Sequence, residues 1–431
     1  MQTQLADFIK DSPEGQEADA ILRTCVHCGF CLATCPTYQL LGDELDSPRG
    51  RIYLMKQMLE GEPVTQKTQL HLDRCLTCRA CETVCPSGVR YGRLVDIGRG
   101  IVEKKVGRGA AAGVMRYALR QTLPNAKVFA SLLKLGRGVR PLLPGGLKDS
   151  IPPRAKEMPF TGAWPPARHA RKMLVLEGCV QPALAPNINA ATARVLDKLG
   201  ISLIKAENAG CCGAVSYHLN AQQEGLDYMR RNVDAWWPYV GKERGINALQ
   251  ERGGVEAIVM TASGCGVTVK EYGHLLRHDP VYAEKAARIS ELCKDISEII
   301  EMETSALATL IGSLPVDKKK SKLAFHSPCT LQHGMRIRGV VERILVTAGF
   351  ELTVVPDAHL CCGSAGTYSI LQPELSQQLL KNKVMALESG SPSRIATANI
   401  GCLMHVQGGT SLAVNHWIEI LDEKLVKGAH A

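Results

Sequence analysis

From residue 171 to residue 431, short apolar runs alternate with stretches of helical periodicity, and the whole pattern occurs twice. Met173-Leu174-Val175-Leu176 reads as a buried strand, and Leu323-Ala324-Phe325 stands at the matching place in the second copy. A helix-period stretch follows each, ending near Gly200 and near Gly349. A further strand-like run, Ala257-Ile258-Val259-Met260, is matched by Ile395-Ala396-Thr397-Ala398. Unbroken apolar runs of this length suit strands covered on both faces, and their alternation with helices predicts parallel-sheet α/β units. The duplication predicts two small domains, 171–316 and 317–431.

The first 105 residues follow another pattern. Arg49-Gly-Arg-Ile-Tyr-Leu-Met-Lys-Gln-Met-Leu-Glu60 has helical periodicity, and a helical domain is expected over 1–105. Residues 106–170 are rich in Gly and Pro and close on Ala163-Trp164-Pro165-Pro166. They read as amphipathic helices followed by a linker. The fold class is therefore multidomain, α and then α/β.

An aromatic content of 5% agrees, since cores built on Leu, Val, Ile and Ala suit helical and α/β folds better than all-β ones. No apolar run approaches 18 residues, so no transmembrane helix is expected. The N-terminal MQTQLADFIKDSPEG lacks the apolar stretch of a signal peptide, which predicts a cytoplasmic protein. The net charge of +9 is concentrated: Pro86 to Lys172 holds 18 Lys/Arg and 4 Asp/Glu, so the remainder is slightly acidic. Such a stretch can meet nucleic acid, anionic lipid or an acidic protein. No groove-reading motif accompanies it, and nucleic acid is not expected as a partner.

Seventeen cysteines change the picture most. In a chain without an export signal they read as metal ligands or redox groups rather than disulfides. Eight fall into two copies of C-x2-C-x2-C-x3-C-P: Cys25, Cys28, Cys31, Cys35-Pro36, and Cys75, Cys78, Cys81, Cys85-Pro86. This run holds pairs of [4Fe–4S] clusters. Three cysteines at three-residue spacing can wrap one cluster, while the fourth lies too far along and reaches the other. Cys25, Cys28, Cys31 and Cys85 are thus expected on cluster 1, and Cys75, Cys78, Cys81 and Cys35 on cluster 2. Shared ligands keep the two clusters close, as a one-electron relay requires. Zinc fits poorly, because its sites pair separate C-x2-C units across a loop. His27 is expected beside the cluster or at the surface rather than as a ligand. The 39 residues between Cys35 and Cys75 are a long insert, and with its helical stretch the domain resembles the helical ferredoxin domain of succinate dehydrogenase iron–sulfur subunits.

Eight more cysteines follow the α/β repeat: Cys179, Cys211, Cys212 and Cys265, then Cys329, Cys361, Cys362 and Cys402. In both copies 31 residues separate the first cysteine from the Cys-Cys-Gly. Sulfurs delivered at strand ends sit where α/β sheets place their sites, and the glycine lets the chain bend tightly beside them. The repeats resemble the Cys-Cys-Gly domains of the heterodisulfide reductase superfamily. That family's fullest motif has a fifth cysteine, replaced here by Ala262 and Asn399. The replacement argues against the family's non-cubane clusters and its disulfide chemistry. Four thiolates per repeat still suffice for a cubane cluster; a structural metal, a redox dithiol and plain reduced thiols stay open. Cys293 fits neither set and reads as a buried helix thiol.

Other signals carry less. Gly107-Arg-Gly109-Ala-Ala-Ala112 matches a loose dinucleotide string, but no strand precedes it. Trp236-Trp237 read as core or interface, and Lys318 to Lys322 as a solvated linker between the repeats. No flavin site is evident, so any hydride removal from a substrate falls to another chain.

A two-cluster ferredoxin domain, a basic connector and two Cys-Cys-Gly domains together resemble a family of iron–sulfur subunits. Its members serve glycolate oxidase, anaerobic glycerol-3-phosphate dehydrogenase and lactate-utilisation systems. Cys25-Val-His-Cys-Gly-Phe-Cys31, Pro36-Thr-Tyr-Gln-Leu-Leu-Gly-Asp-Glu-Leu45, Pro48-Arg-Gly-Arg-Ile-Tyr-Leu54, Leu72-Asp-Arg-Cys-Leu-Thr-Cys78, Gly210-Cys-Cys-Gly-Ala214 and Ala398-Asn-Ile-Gly-Cys402 resemble the bacterial glycolate oxidase branch in particular. The resemblance implies an electron-transfer subunit. Two FAD-binding partner subunits would oxidise glycolate, and electrons would pass singly to a quinone or other membrane acceptor. It also implies a peripheral position on the cytoplasmic face of the inner membrane.

Overall fold

The structure is a computed structural model describing residues 1–142, 162–240, 254–315 and 321–427. The N-terminal part is helical: α1 (Pro13–Thr24), α2 (Pro36–Leu41), α3 (Pro48–Leu59), α4 (Gln66–Asp73), α5 (Ala80–Thr83) and α6 (Tyr91–Val106). Ser-Pro starts two of these helices. The Ser12 and Ser47 hydroxyls accept from the Gly15 and Gly50 amides at 3.0 and 2.9 Å, while Pro13 and Pro48 occupy first-turn positions that need no donor. The expected helix over 49–60 is α3. Two helices follow, α7 (Ala110–Thr122) and α8 (Ala126–Val139). These are the amphipathic helices read in the basic stretch; most of the linker after them lies outside the described residues.

The rest holds two parallel four-stranded sheets. The first has the order β2-β1-β3-β4, from β1 (Arg171–Val175), β2 (Ile201–Lys205), β3 (Ile258–Met260) and β4 (Cys293–Asp295). The second repeats it as β6-β5-β7-β8, from β5 (Lys322–His326), β6 (Glu351–Leu352), β7 (Arg394–Thr397) and β8 (Val414–His416). Each strand-like run named above falls on a strand. Within each sheet the chain steps outward from the first strand to the second, then back past the first to the third. That reversal opens a crevice at the carboxyl ends of the strands. Most of the Lys318–Lys322 run lies outside the described residues, and Lys322 itself begins β5. Cys293 is corrected: it is not a helix thiol but the first residue of β4, where the helix Ala283–Leu292 ends. Its Sγ points at the Gly266 carbonyl, 3.7 Å away, so it is core. Trp236 is also core, stacked on Tyr272.

One apolar core runs through both repeats. Arg194 ties them together, reaching Asp422 at 2.6 Å. The ferredoxin part has its own core and clamps the first repeat through polar contacts. Glu17 accepts from Arg277 and meets His274, both at 2.9 Å, and Arg79 reaches Glu271 at 2.6 Å. Against the second repeat the seam has an apolar centre, with Leu76, Cys329, Cys361, Tyr368, Leu375 and Leu379 packed together and Cys78 against them, and the Tyr368 hydroxyl donates across it to the Arg74 carbonyl at 3.1 Å.

Candidate metal centres

The first ferredoxin-type loop runs from Cys25 to Cys31, the second from Cys75 to Cys81. Each turns through the left-handed region at the same two places, His27 and Gly29 in one, Thr77 and Arg79 in the other. Non-glycine residues adopt this conformation only where their surroundings enforce it. Here it curls each loop so that its three sulfurs face one way. Thr77 N–H points back to Cys75 Sγ at 3.4 Å, and the Tyr91 hydroxyl donates to the same sulfur at 3.6 Å.

Cys25, Cys28, Cys31 and Cys85 line one cavity, with Cys81, Ile52, Val89 and Tyr91 also on its wall. Cys28 is exposed at its mouth, beside Val26 and Phe30, which are 67% and 63% exposed. His27 is on the cavity wall, half-buried. The other set lies deeper. Burial pushes the Cys78 and Cys81 thiols well up, and Cys35 and Cys75 are close enough to add to it. Cys85, from the second run, lines the first cavity, and Cys35, from the first run, lies near Cys78 and Cys81. Cys35 gets there because it caps α2, whose first residue is Pro36.

A buried cation underlies the deeper set. Arg51 is 1% exposed, and its Nη1 is 4.0 Å from Cys35 Sγ and 3.1 Å from the Thr37 hydroxyl. Its counter-ion is Asp46, at 3.2 Å, which also holds Arg74 at 2.8 Å and His71 at 3.1 Å. Sequence reasoning missed Arg51. It sits in an ordinary helix-period stretch, and nothing local shows that α3 turns it inward.

In the repeats, all four cysteines of each set converge at the carboxyl edge of their sheet. Cys179 contacts Cys211, and Cys212 contacts both Cys211 and Cys265. Cys329 Sγ is 3.9 Å from Cys361 Sγ, and Cys362 contacts both Cys361 and Cys402. Glycine is required in both turns. Gly213 and Gly363 have φ of +90° and +92°, and a Cβ would stand 2.5 Å from the Gly225 carbonyl oxygen and 2.6 Å from that of Ser376. Asn232 and Tyr272 fix the first turn, donating to the Cys211 and Cys212 carbonyls at 2.8 Å each. Asn399, at the replaced cysteine position, donates to Cys402 Sγ at 3.6 Å and accepts from the Gly264 amide at 3.4 Å, bridging the two repeats.

Crowding sets the chemistry. Hydrogen bonding to Cys211 pushes the Cys179 thiol up, and burial adds to it; Cys211 itself is pushed up to about 12 by Cys212 and burial, against a lowering hydrogen bond from Cys179. Buried thiols this close cannot ionise together unless a cation takes up their charge, and a metal does so. The four sulfur sets thus suit thiolate-bound metal centres. The deeper ferredoxin-type set and the second repeat are neighbours, since Cys78 packs against the cluster that holds Cys329 and Cys361.

Residues 21–89 match the 4Fe-4S dicluster domain family, and 173–270 and 323–407 each match the Cysteine-rich domain family. The chain is 55% identical to the glycolate oxidase iron-sulfur subunit of Escherichia coli (strain K12), over 99% of this chain and 100% of that one. It is 31% identical to the probable glycolate oxidase iron-sulfur subunit of Bacillus subtilis (strain 168), over 90% and 89%. Lactate utilization protein A of Bacillus licheniformis is more distant, 27% identical over 57% of this chain and 97% of its own. With its sulfur sets inside the matched domains and the likeness running nearly end to end, the chain belongs to the glycolate oxidase iron–sulfur subunit family.

Proposed function

We propose that this chain is the electron-transfer subunit of a flavin-dependent glycolate dehydrogenase complex and carries no substrate site of its own. The observation that carries the reading is the graded burial of contiguous sulfur sets, one exposed at Cys28, one buried beside it, and a third against the second. Cys25, Cys28, Cys31 and Cys85 would hold one [4Fe–4S] cluster, and Cys75, Cys78, Cys81 and Cys35 the other. When bound, these clusters accept and release single electrons.

The protein's own part is to hold and shield. Amide and hydroxyl donors at Cys75 and the Arg51 guanidinium near Cys35 stabilise negative charge at the deeper site. Val26 and Phe30 give the shallow site an apolar rim on which a redox partner can dock and exclude water. The partners in this reading are two FAD-binding subunits that oxidise glycolate to glyoxylate, and a quinone or other membrane acceptor. Likeness to the lactate-utilisation protein covers less of the chain at lower identity, so glycolate is preferred.

The same reading puts the protein peripherally on the cytoplasmic face of the inner membrane. No described helix is long and apolar enough to cross a membrane. Helices α7 and α8 expose Val114, Met115, Tyr117, Leu132 and Leu135, with Lys127 and Lys134 beside them. No Asp or Glu occurs between Glu103 and Asp149. An apolar, acid-free, basic hairpin suits the headgroup region of anionic lipid.

The test is anaerobic purification of the chain with its flavoprotein partners, followed by Cys28→Ser. The substitution should remove one cluster signal and abolish acceptor-linked glycolate oxidation. Full activity in a complex lacking that cluster would refute the relay.

A further inference from the structure

The two Cys-Cys-Gly repeats are not equivalent, and the difference is a histidine. His326 is the last residue of β5, three positions before Cys329; the matching residue before Cys179 is Leu176. A ring nitrogen of His326 and the sulfurs of Cys362 and Cys402 all lie within 4.8 Å of one another. His326 is 2% exposed, and neither ring nitrogen has a hydrogen-bond partner. A buried imidazole with neither nitrogen bonded leaves a donor and an acceptor unsatisfied, which is costly away from water. Leu176 at the matching place has no such requirement and packs in the apolar core of the first repeat.

We propose that His326 is a metal ligand, and that the second repeat holds a mixed imidazole–thiolate centre while the first holds at most an all-thiolate one. This rests on reading the Cys-Cys-Gly repeats as metal sites. A metal bound through one ring nitrogen satisfies half of the imidazole. It also draws together the neighbouring sulfurs, whose simultaneous ionisation needs a cation. Around a tetrahedral ion, bonds of about 2.0–2.3 Å put ligand atoms roughly 3.5–3.8 Å apart. The observed grouping can close to that spacing by small rotations of side chains. Cys361 and Cys329 stand next in line, with Asn399 donating to Cys402 Sγ. The chemical class is a thiolate- and imidazole-preferring transition metal, either a zinc ion or an iron of a cluster; both use soft sulfur with borderline nitrogen. If it is iron, imidazole in place of thiolate raises the potential of the centre, and the centre lies against the Cys78 site.

The experiment uses the full chain, purified anaerobically, as wild type, His326→Leu and His326→Cys. Iron, zinc and acid-labile sulfide are counted per chain, with X-ray absorption at the relevant metal edge and nitrogen hyperfine spectroscopy on the reduced protein. The wild type should carry metal beyond the about 8 irons of the two ferredoxin-type clusters, with imidazole in its ligand sphere. Extra zinc without extra sulfide identifies an ion, extra iron with sulfide a cluster, and either supports the proposal. His326→Leu should lose this additional metal while both ferredoxin-type signals persist. His326→Cys should retain metal and lose the imidazole signature, which also guards against a leucine variant that fails to fold. No metal beyond the two clusters, or extra metal without bound imidazole in the wild type, would overturn the proposal. Loss of the ferredoxin-type signals themselves would instead count against the reading of the N-terminal domain.

Discussion

Replacing Arg51 by methionine removes the buried positive charge nearest the deeper ferredoxin-type site while keeping most of the side chain's volume. Arg51 Nη1 is 4.0 Å from Cys35 Sγ. One metal–sulfur bond further, the charge of a bound cluster is centred roughly 6 Å away; at an effective dielectric constant of about 20 the interaction is about 2–3 kcal/mol. An added electron benefits by that amount, equivalent to about 90–130 mV for a one-electron couple. Arg51→Met should therefore lower the midpoint potential of this cluster by about 100 mV. The exposed cluster near Cys28 should move little, because Arg51 is absent from its wall. The fold should tolerate the change better than a typical broken buried pair, since Asp46 keeps Arg74 at 2.8 Å and His71 at 3.1 Å. The assay is a redox titration followed by electron paramagnetic resonance, on protein whose iron content equals wild type, with Arg51→Lys as the charge-preserving control. A folded, fully loaded Arg51→Met protein whose potentials shift by under about 20 mV would refute the reasoning. So would a shift confined to the exposed cluster.

Three further outcomes are expected. Gly213→Ala should destabilise the protein by about 2–4 kcal/mol, combining left-handed strain with overpacking against the Gly225 carbonyl. Gly200→Ala, at φ +79° with open space around it, should cost only about 1–2 kcal/mol; equal losses in denaturant midpoint would contradict the packing argument. Leu132→Glu with Leu135→Glu should abolish sedimentation with vesicles containing anionic phosphatidylglycerol and leave iron content unchanged, and undiminished binding would exclude the hairpin as the membrane face. Burial would raise the Glu17 carboxyl, but His274 and Arg93 outweigh it and hold it well below the ordinary range. The clamp on the first repeat should therefore contribute fully above about pH 4.5 and weaken as acid protonates Glu17. Glu17→Gln should flatten that acid-side loss of stability; an unchanged pH profile would show that Glu17 does not carry it.

Much of this molecule was legible in its residues because the constraints were local. Three cysteines at three-residue spacing can wrap only around something small, and the same run written twice implies two such centres with an exchanged fourth ligand. Apolar runs such as Met173-Leu174-Val175-Leu176, recurring at a fixed distance from Cys-Cys-Gly, announced the duplicated α/β units. Cys293 was misread because helical periodicity continues up to it. Only the pairing of β4 beside β3 converts that position into strand.

What tertiary structure alone decided are matters of which way a side chain faces and which surfaces meet. Arg51 lies in a periodic helix like any other, and only the packing of α3 against α6 turns its charge under Cys35. His326 ends one strand and Leu176 follows its twin; the first becomes a candidate ligand because the helix Ile400–Gln407, entered from β7, brings Cys402 beside it. The order of exposure, from the open Cys28 to the half-buried Cys78 against Cys329, arises from docking the helical domain onto the second repeat. Spacing along a chain constrains neighbours within a few residues. Contacts between Cys78 and Cys329 depend on the shape of whole surfaces, which the order of residues specifies only through the fold.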